Sequence, residues 1–182
     1  MKRNFLLTSF LILTLIFNLK AQVLINNFDP SDNQIIWQKV YTTTLNFKQL
    51  TDNINSSGLF TNLNIEENTI TGHIKNIDAD FKGAGYSEMA TPMYISRSFI
   101  DGFISIDFKD GKYRVTLKNI FLNQKYNDAL TKQGEKSTLE TWSLKKGKNE
   151  FKDAFTKSPS KILDYTFSRK FDFTTNKDTK NW

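Results

Sequence analysis

The sequence predicts an α+β domain: an antiparallel sheet of about five strands with helices packed on one face, in the order strand, helix, four strands, helix. Three observations carry that prediction. Residues 103–122, FISIDFKDGKYRVTLKNIFL, set two alternating runs around Asp110-Gly111. Asp-Gly is a preferred centre for a tight hairpin, because both central residues need positive φ. Residues 47–54 bring Phe47, Leu50 and Ile54 to helical spacing, and residues 163–171 do the same with Leu163, Phe167 and Phe171. A half-apolar sheet must bury that face, and helices laid across it are the economical cover.

The elements follow in order. MKRNFLLTSFLILTLIFNLKAQ opens with Lys2 and Arg3, continues with an apolar run from Phe5 to Phe17, and ends at Ala21-Gln22. These are the parts of a secretory signal peptide over 1–21, with cleavage between Ala21 and Gln22. Leu19 at the −3 position is larger than the ideal residue there. The alternative is an uncleaved N-terminal anchor, for which the apolar core is short. Residues 22–34 are an N-terminal extension, and 35–175 form a single domain.

Within the domain, residues 35–44 read as a first strand, with Ile35, Trp37 and Tyr41 opposed to Ile36, Gln38 and Val40. Asn46 is a plausible N-cap for the first helix, and Gly58 stands where a helix ends in left-handed backbone. TNLNIEEN and TITGHIKNIDADF are strands joined at Glu66-Glu67-Asn68. Residues 82–91 are irregular, and the strand pattern resumes at Pro92, with a bulge expected at Asp101-Gly102 where alternation shifts phase. In the hairpin, Ile104, Ile106 and Phe108 face one way, away from Phe103, Ser105 and Asp107. On its second strand Tyr113, Val115, Leu117 and Phe121 share a face opposite Arg114, Thr116 and Lys118.

Residues 123–149 read as a long polar loop holding at most one short strand, since only Leu139, Trp142 and Leu144 offer anything to bury. Helical signals return at NEFKDAF and at SPSKILDYTFSRKF, where Ser158 would be the N-cap and Pro159 the first helical residue. The tail, 176–182, is polar and expected to be disordered.

Composition narrows the function classes. The chain has 25 basic and 19 acidic residues, a formal charge of +6. Residues 1–21 hold three of the bases and no acid, which leaves 22 against 19, or +3, in the remainder. That is no strong footprint for nucleic acid. With no cysteine there is no lipobox attachment, no disulfide and no thiolate-bound metal. The residues after the leader suit one domain with a single core.

Candidate chemistry is sparse. His73 is the only histidine and lies on the strand face of Thr71 and Lys75. With no cysteine, a zinc site there would need carboxylate partners, and a sheet-face histidine is the simpler reading. Asp78 and Asp80 would project from one strand face about 7 Å apart, a spacing open to paired carboxylates or a divalent cation. Gly83-Ala84-Gly85 lacks the Lys-Ser/Thr ending of a phosphate loop. No Gly-x-Ser-x-Gly is present. A surface candidate remains: Arg97, Arg114 and Lys118 among Tyr94, Phe99 and Tyr113, able to hold an acidic or glycan partner. Basic residues on an open sheet also serve solubility.

The order of elements, the GKYRVTLKNI strand at 111–120 and the export signal together resemble a secreted domain-of-unknown-function family. That family occurs among Bacteroidota envelope proteins and has a TATA-binding-protein-like (TBP-like) fold. The resemblance covers residues 35–122 and the C-terminal helix. It implies the fold and carries no assigned activity, and the fold's name implies no DNA binding. The expectation is an exported protein, periplasmic or secreted, acting as a non-catalytic binding or accessory module without cofactor or metal. Its partner would be an envelope protein, a glycan or a small ligand, with no nucleic acid and with membrane contact only through the leader. One alternative is an apolar-ligand carrier with a cavity between sheet and helix; another is a carboxylate-based hydrolase.

Overall fold

The computed structural model describes residues 24–127 and 131–174. The segment expected to be a signal peptide, the cleavage expected at Ala21-Gln22 and the tail from 176 to 182 lie outside the described residues. The fold is α+β, built on one antiparallel sheet of seven strands. In chain order these are β1 (Phe28–Ser31), β2 (Gln34–Thr42), β3 (Phe60–Glu66), β4 (Thr69–Asp78), β5 (Ser98–Lys109), β6 (Lys112–Gln124) and β7 (Lys136–Thr138). The spatial order is β1-β2-β6-β5-β4-β3, with β7 pairing the far end of β6 beyond β2. The helices are α1 (Phe47–Ser56), α2 (Met93–Ser96), α3 (Leu139–Ser143) and α4 (Ser158–Lys170).

The count exceeds the expected five strands at both ends. β1 falls in the segment read as an extension, where four residues including Pro30 are too few to show a period. Its Phe28 is nevertheless fully buried, 5.4 Å edge-on to Phe155. β7 and α3 fall in the segment read as a polar loop, and β6 itself runs on to Gln124. NEFKDAF is not a helix: Phe151 bridges to Leu144 across a Lys145–Glu150 hairpin tip, and turns follow.

The hairpin forms as predicted, with Asp110 and Gly111 both at positive φ. A bulge does interrupt the pairing at Asp101-Gly102, but the neighbouring strands supply the extra residues, Asn76 on β4 and Asn119 on β6, both left-handed. Asn tolerates that backbone better than most side chains, and the sheet coils where the bulges meet. The consequence is a change of face. Beyond Asn119 it is Ile120 and Leu122 that are buried, while Phe121, expected inside, points outward. Gly102 sits in the gap because a Cβ there would come within 2.9 Å of the buried Leu117 Cδ1.

The core lies on one face. α4 crosses it with Ile162, Leu163 and Phe167 buried, and Phe171 and Phe173 continue beyond its end. Phe167 meets Trp37 edge-on at 5.4 Å, and Phe171 reaches from Trp37 at 5.8 Å to Phe60 at 6.2 Å. This aromatic row spans the sheet from β1 to β3. α1 closes the hairpin end through Leu50, Ile54 and a Phe47–Phe108 contact of 5.9 Å.

Candidate binding surface

With α4 and α1 on the inner face, the outer face of the sheet presents its side chains in rows across the strands. Val40, Arg114, Asp107 and Thr69 form one row. Arg114 donates to Asp107 Oδ2 from Nε at 3.2 Å and from Nη2 at 2.9 Å. The next row is Gln38, Thr116, Ser105 and Thr71, where Gln38 Nε2 donates to Thr116 Oγ1 at 3.0 Å. In a third, Phe103 lies between His73, edge-on at 5.4 Å, and the Lys118 ammonium, 5.3 Å over its ring. An aromatic ring held by a cation above it and an imidazole beside it is fixed in place.

The predicted surface residues divide. Arg114 and Lys118 are on this face. Tyr113 is not: it is 1 % exposed on the inner face, stacked on Tyr41 at 4.9 Å. Alternation itself explains this, because neighbours on a strand point to opposite faces. Its hydroxyl donates to the Phe171 carbonyl at 3.0 Å and accepts from Phe173 N at 2.7 Å. Tyr41 OH likewise donates to the Ser168 carbonyl at 3.0 Å. Burial pushes both phenols up, beyond the ordinary tyrosine range. Arg97 is the C-cap of α2, before β5 begins, whereas Arg114 pairs Asp107 near the hairpin. Nine residues of extended strand, about 30 Å, separate those ends, so the two arginines do not make one patch.

The catalytic candidates are not drawn together. His73 has Phe103 as its neighbour on the outer face. Asp78 pairs with Lys125, whose ammonium also lies 4.9 Å over the Phe99 ring. Asp80 Oδ1 instead accepts from Gly83 N at 2.8 Å, which makes Gly83-Ala84-Gly85 an Asp-capped turn. No group of three metal-ligating side chains occurs among the described residues.

Two concavities adjoin these features. A recess of about 660 Å³ at the hairpin end is lined by Val40, Asp107, Phe108 and Arg114. A cleft of about 210 Å³ at the opposite end is lined by Met93, Tyr94, Leu122 and Trp142. Tyr94 and Trp142 stack there at 4.7 Å, and burial pushes the Tyr94 phenol up to about 12. Sequence spacing could not pair them, since α3 lies in the segment read as a loop.

No protein-family model matches the chain, and no curated protein does either. Among solved structures, the chain is similar to a TBP-like protein from Parabacteroides distasonis, with a TM-score of 0.50 and 13 % identity over 80 % of this chain and 96 % of that one. The fold is TBP-like. It is also similar to a DUF4468 family protein from Bacteroides ovatus, with a TM-score of 0.45 and 15 % identity over 82 % of this chain and 91 % of that one. The resemblance drawn from the sequence is thus met at the level of fold. A shared fold does not fix a function, which lies in the side chains the fold presents.

Proposed function

We propose that the protein is an exported, non-catalytic binding module of the cell envelope that takes a protein partner on its outer sheet face. The supporting observation is that face itself: an uncovered sheet on which His73 and Lys118 flank Phe103 and, separately, Arg114 holds Asp107. Side chains ordered before binding lose less entropy on association. Six strands at about 4.8 Å spacing give a face on the order of 25 Å wide, and its area approaches the roughly 800 Å² that each partner buries in a standard interface. A broad mixed surface of this kind suits a protein better than a small ligand. The carrier alternative needs space between sheet and α4, where Trp37, Phe167, Phe171 and Phe28 pack ring against ring. The hydrolase alternative needs Asp78 and Asp80 to act together, and each has its own separate partner.

The test is site-specific photo-crosslinking in cells that make the protein natively. A crosslinker at Ser105 or Thr116 should give a discrete protein adduct, lost when Arg114→Glu and Lys118→Glu are combined. A crosslinker at the α4 position Lys161 should not give that adduct. Absence of an outer-face adduct, or the same adduct from both faces, would overturn the reading.

A further inference from the structure

We propose that the cleft between α2 and α3 is a carbohydrate site that takes one neutral pyranose ring, either a free sugar or the end of a glycan. The site is apart from the outer-face surface and stands or falls without it.

The sheet and two short helices bring its residues together. Ser98 pairs with Gln124 and Leu122 with Ser137, so β5, β6 and β7 place these four lining side chains on one face. It is the inner face, since Ser98 and Leu122 are buried. Tyr94 on α2 and Trp142 on α3 add an aromatic wall, ring over ring at 4.7 Å with their planes 7° apart. Trp142 Nε1 donates to Ser137 Oγ at 2.9 Å, which ties the indole to β7. A flat aromatic wall thus stands beside hydroxyl and amide groups.

This wall is not core. Trp142 is 41 % exposed, and Met93 beside Tyr94 is 68 % exposed. An apolar patch rimmed by polar groups marks a ligand groove. The Tyr94 hydroxyl has no hydrogen-bond partner among the described residues. Burial, which pushes that phenol up to about 12, keeps its proton in place for donation.

The ligand class follows from shape, charge and size. A pyranose carries C–H groups on its ring faces and hydroxyls around its edge, so one face can lie on an aromatic ring while the edge meets Tyr94, Gln124 and Ser137. An apolar peptide side chain would cover the Tyr94 and Ser137 hydroxyls without bonding them, which costs affinity. Lys136 is paired with Asp101 at 3.4 Å, and Glu135 offsets Arg97 in the lining, so no net charge draws an acidic sugar. A volume of about 210 Å³ is smaller than a site for a drug-sized molecule and suits a single ring.

The experiment is saturation-transfer difference NMR on the protein purified from cells that make it, with methyl β-glucoside, methyl β-galactoside and N-acetylglucosamine as probes. At least one should bind with a Kd on the order of 1 mM, its ring C–H protons receiving the most saturation. Trp142→Ala should weaken binding about tenfold or more, and Trp142→Phe should restore it to within about threefold. Tyr94→Phe, which keeps both rings, should weaken it severalfold. Phe103→Ala on the outer face should leave it within about twofold. Cellotriose binding as well as the single ring would support the end of a glycan, and its rejection a free sugar. Failure of all three probes to bind would overturn the proposal, as would equal losses in Trp142→Ala and Phe103→Ala. Tighter binding of glucuronate, or binding of N-acetyl-leucine amide where the sugars fail, would also overturn it and assign the cleft to an acid or to a peptide side chain.

Discussion

At Tyr113 one phenol oxygen serves two backbone groups, the Phe171 carbonyl and the Phe173 amide, where the chain leaves α4. Both lie too far from water to find a substitute, and a buried polar group without a partner costs about 1–3 kcal/mol. Tyr113→Phe keeps the ring stacked on Tyr41 and removes only the oxygen. It should therefore lower stability by about 1–3 kcal/mol, read as a lower urea midpoint with unchanged slope. A loss below a few tenths would mean that the hydroxyl does not tie the sheet to the end of α4. The alternation around Tyr113 was legible in the sequence, yet the residue also stood among the surface candidates, and the partners that hold its hydroxyl inside lie about sixty residues further on. Phe121 fails for a different reason: one left-handed residue, Asn119, reverses the faces that follow it.

Among the elements, α1 was the most legible, because its signals are local. Asn46 caps it as expected, Oδ1 accepting from Gln49 N at 2.9 Å while Gln49 Oε1 accepts from Asn46 N at 3.0 Å. Asn46→Ala breaks this reciprocal box and should cost about 1 kcal/mol. A chemical-denaturation curve checks it, and an unchanged midpoint would show that Leu50 and Ile54 hold the helix without its cap. Gly58, at φ +65°, follows the C-cap as predicted. α4 departs from its signal by one residue: Lys157 is the N-cap, with no side-chain bond, and Ser158 is already helical. β1, β7 and α3 left too little pattern to find. Each is three to five residues long, and they persist through pairing and burial, as Leu139 and Phe28 do.

At the scale of the whole molecule, the buried phenols link stability to pH. Burial raises Tyr41 and Tyr113 above the usual value near 10 and Tyr94 to about 12. Such groups favour the folded state fully below pH 10, and that contribution is lost as pH rises through their folded values. Stability should therefore decline from about pH 10 upward, with phenolate absorbance and loss of near-ultraviolet circular dichroism rising together. A phenolate signal complete before the dichroism changes would contradict this. By itself the sequence determined the α+β class, the central hairpin, the first helix with both its ends and the buried face of α4, because periodicity, turn chemistry and capping act between residues a few positions apart. Only the tertiary structure decided that Asn76 and Asn119 coil the sheet and turn Phe121 outward, that Asp78 and Asp80 serve different partners, and that Tyr94 and Trp142 stack in one cleft. Those outcomes depend on register and on contacts between distant segments, which no local pattern encodes.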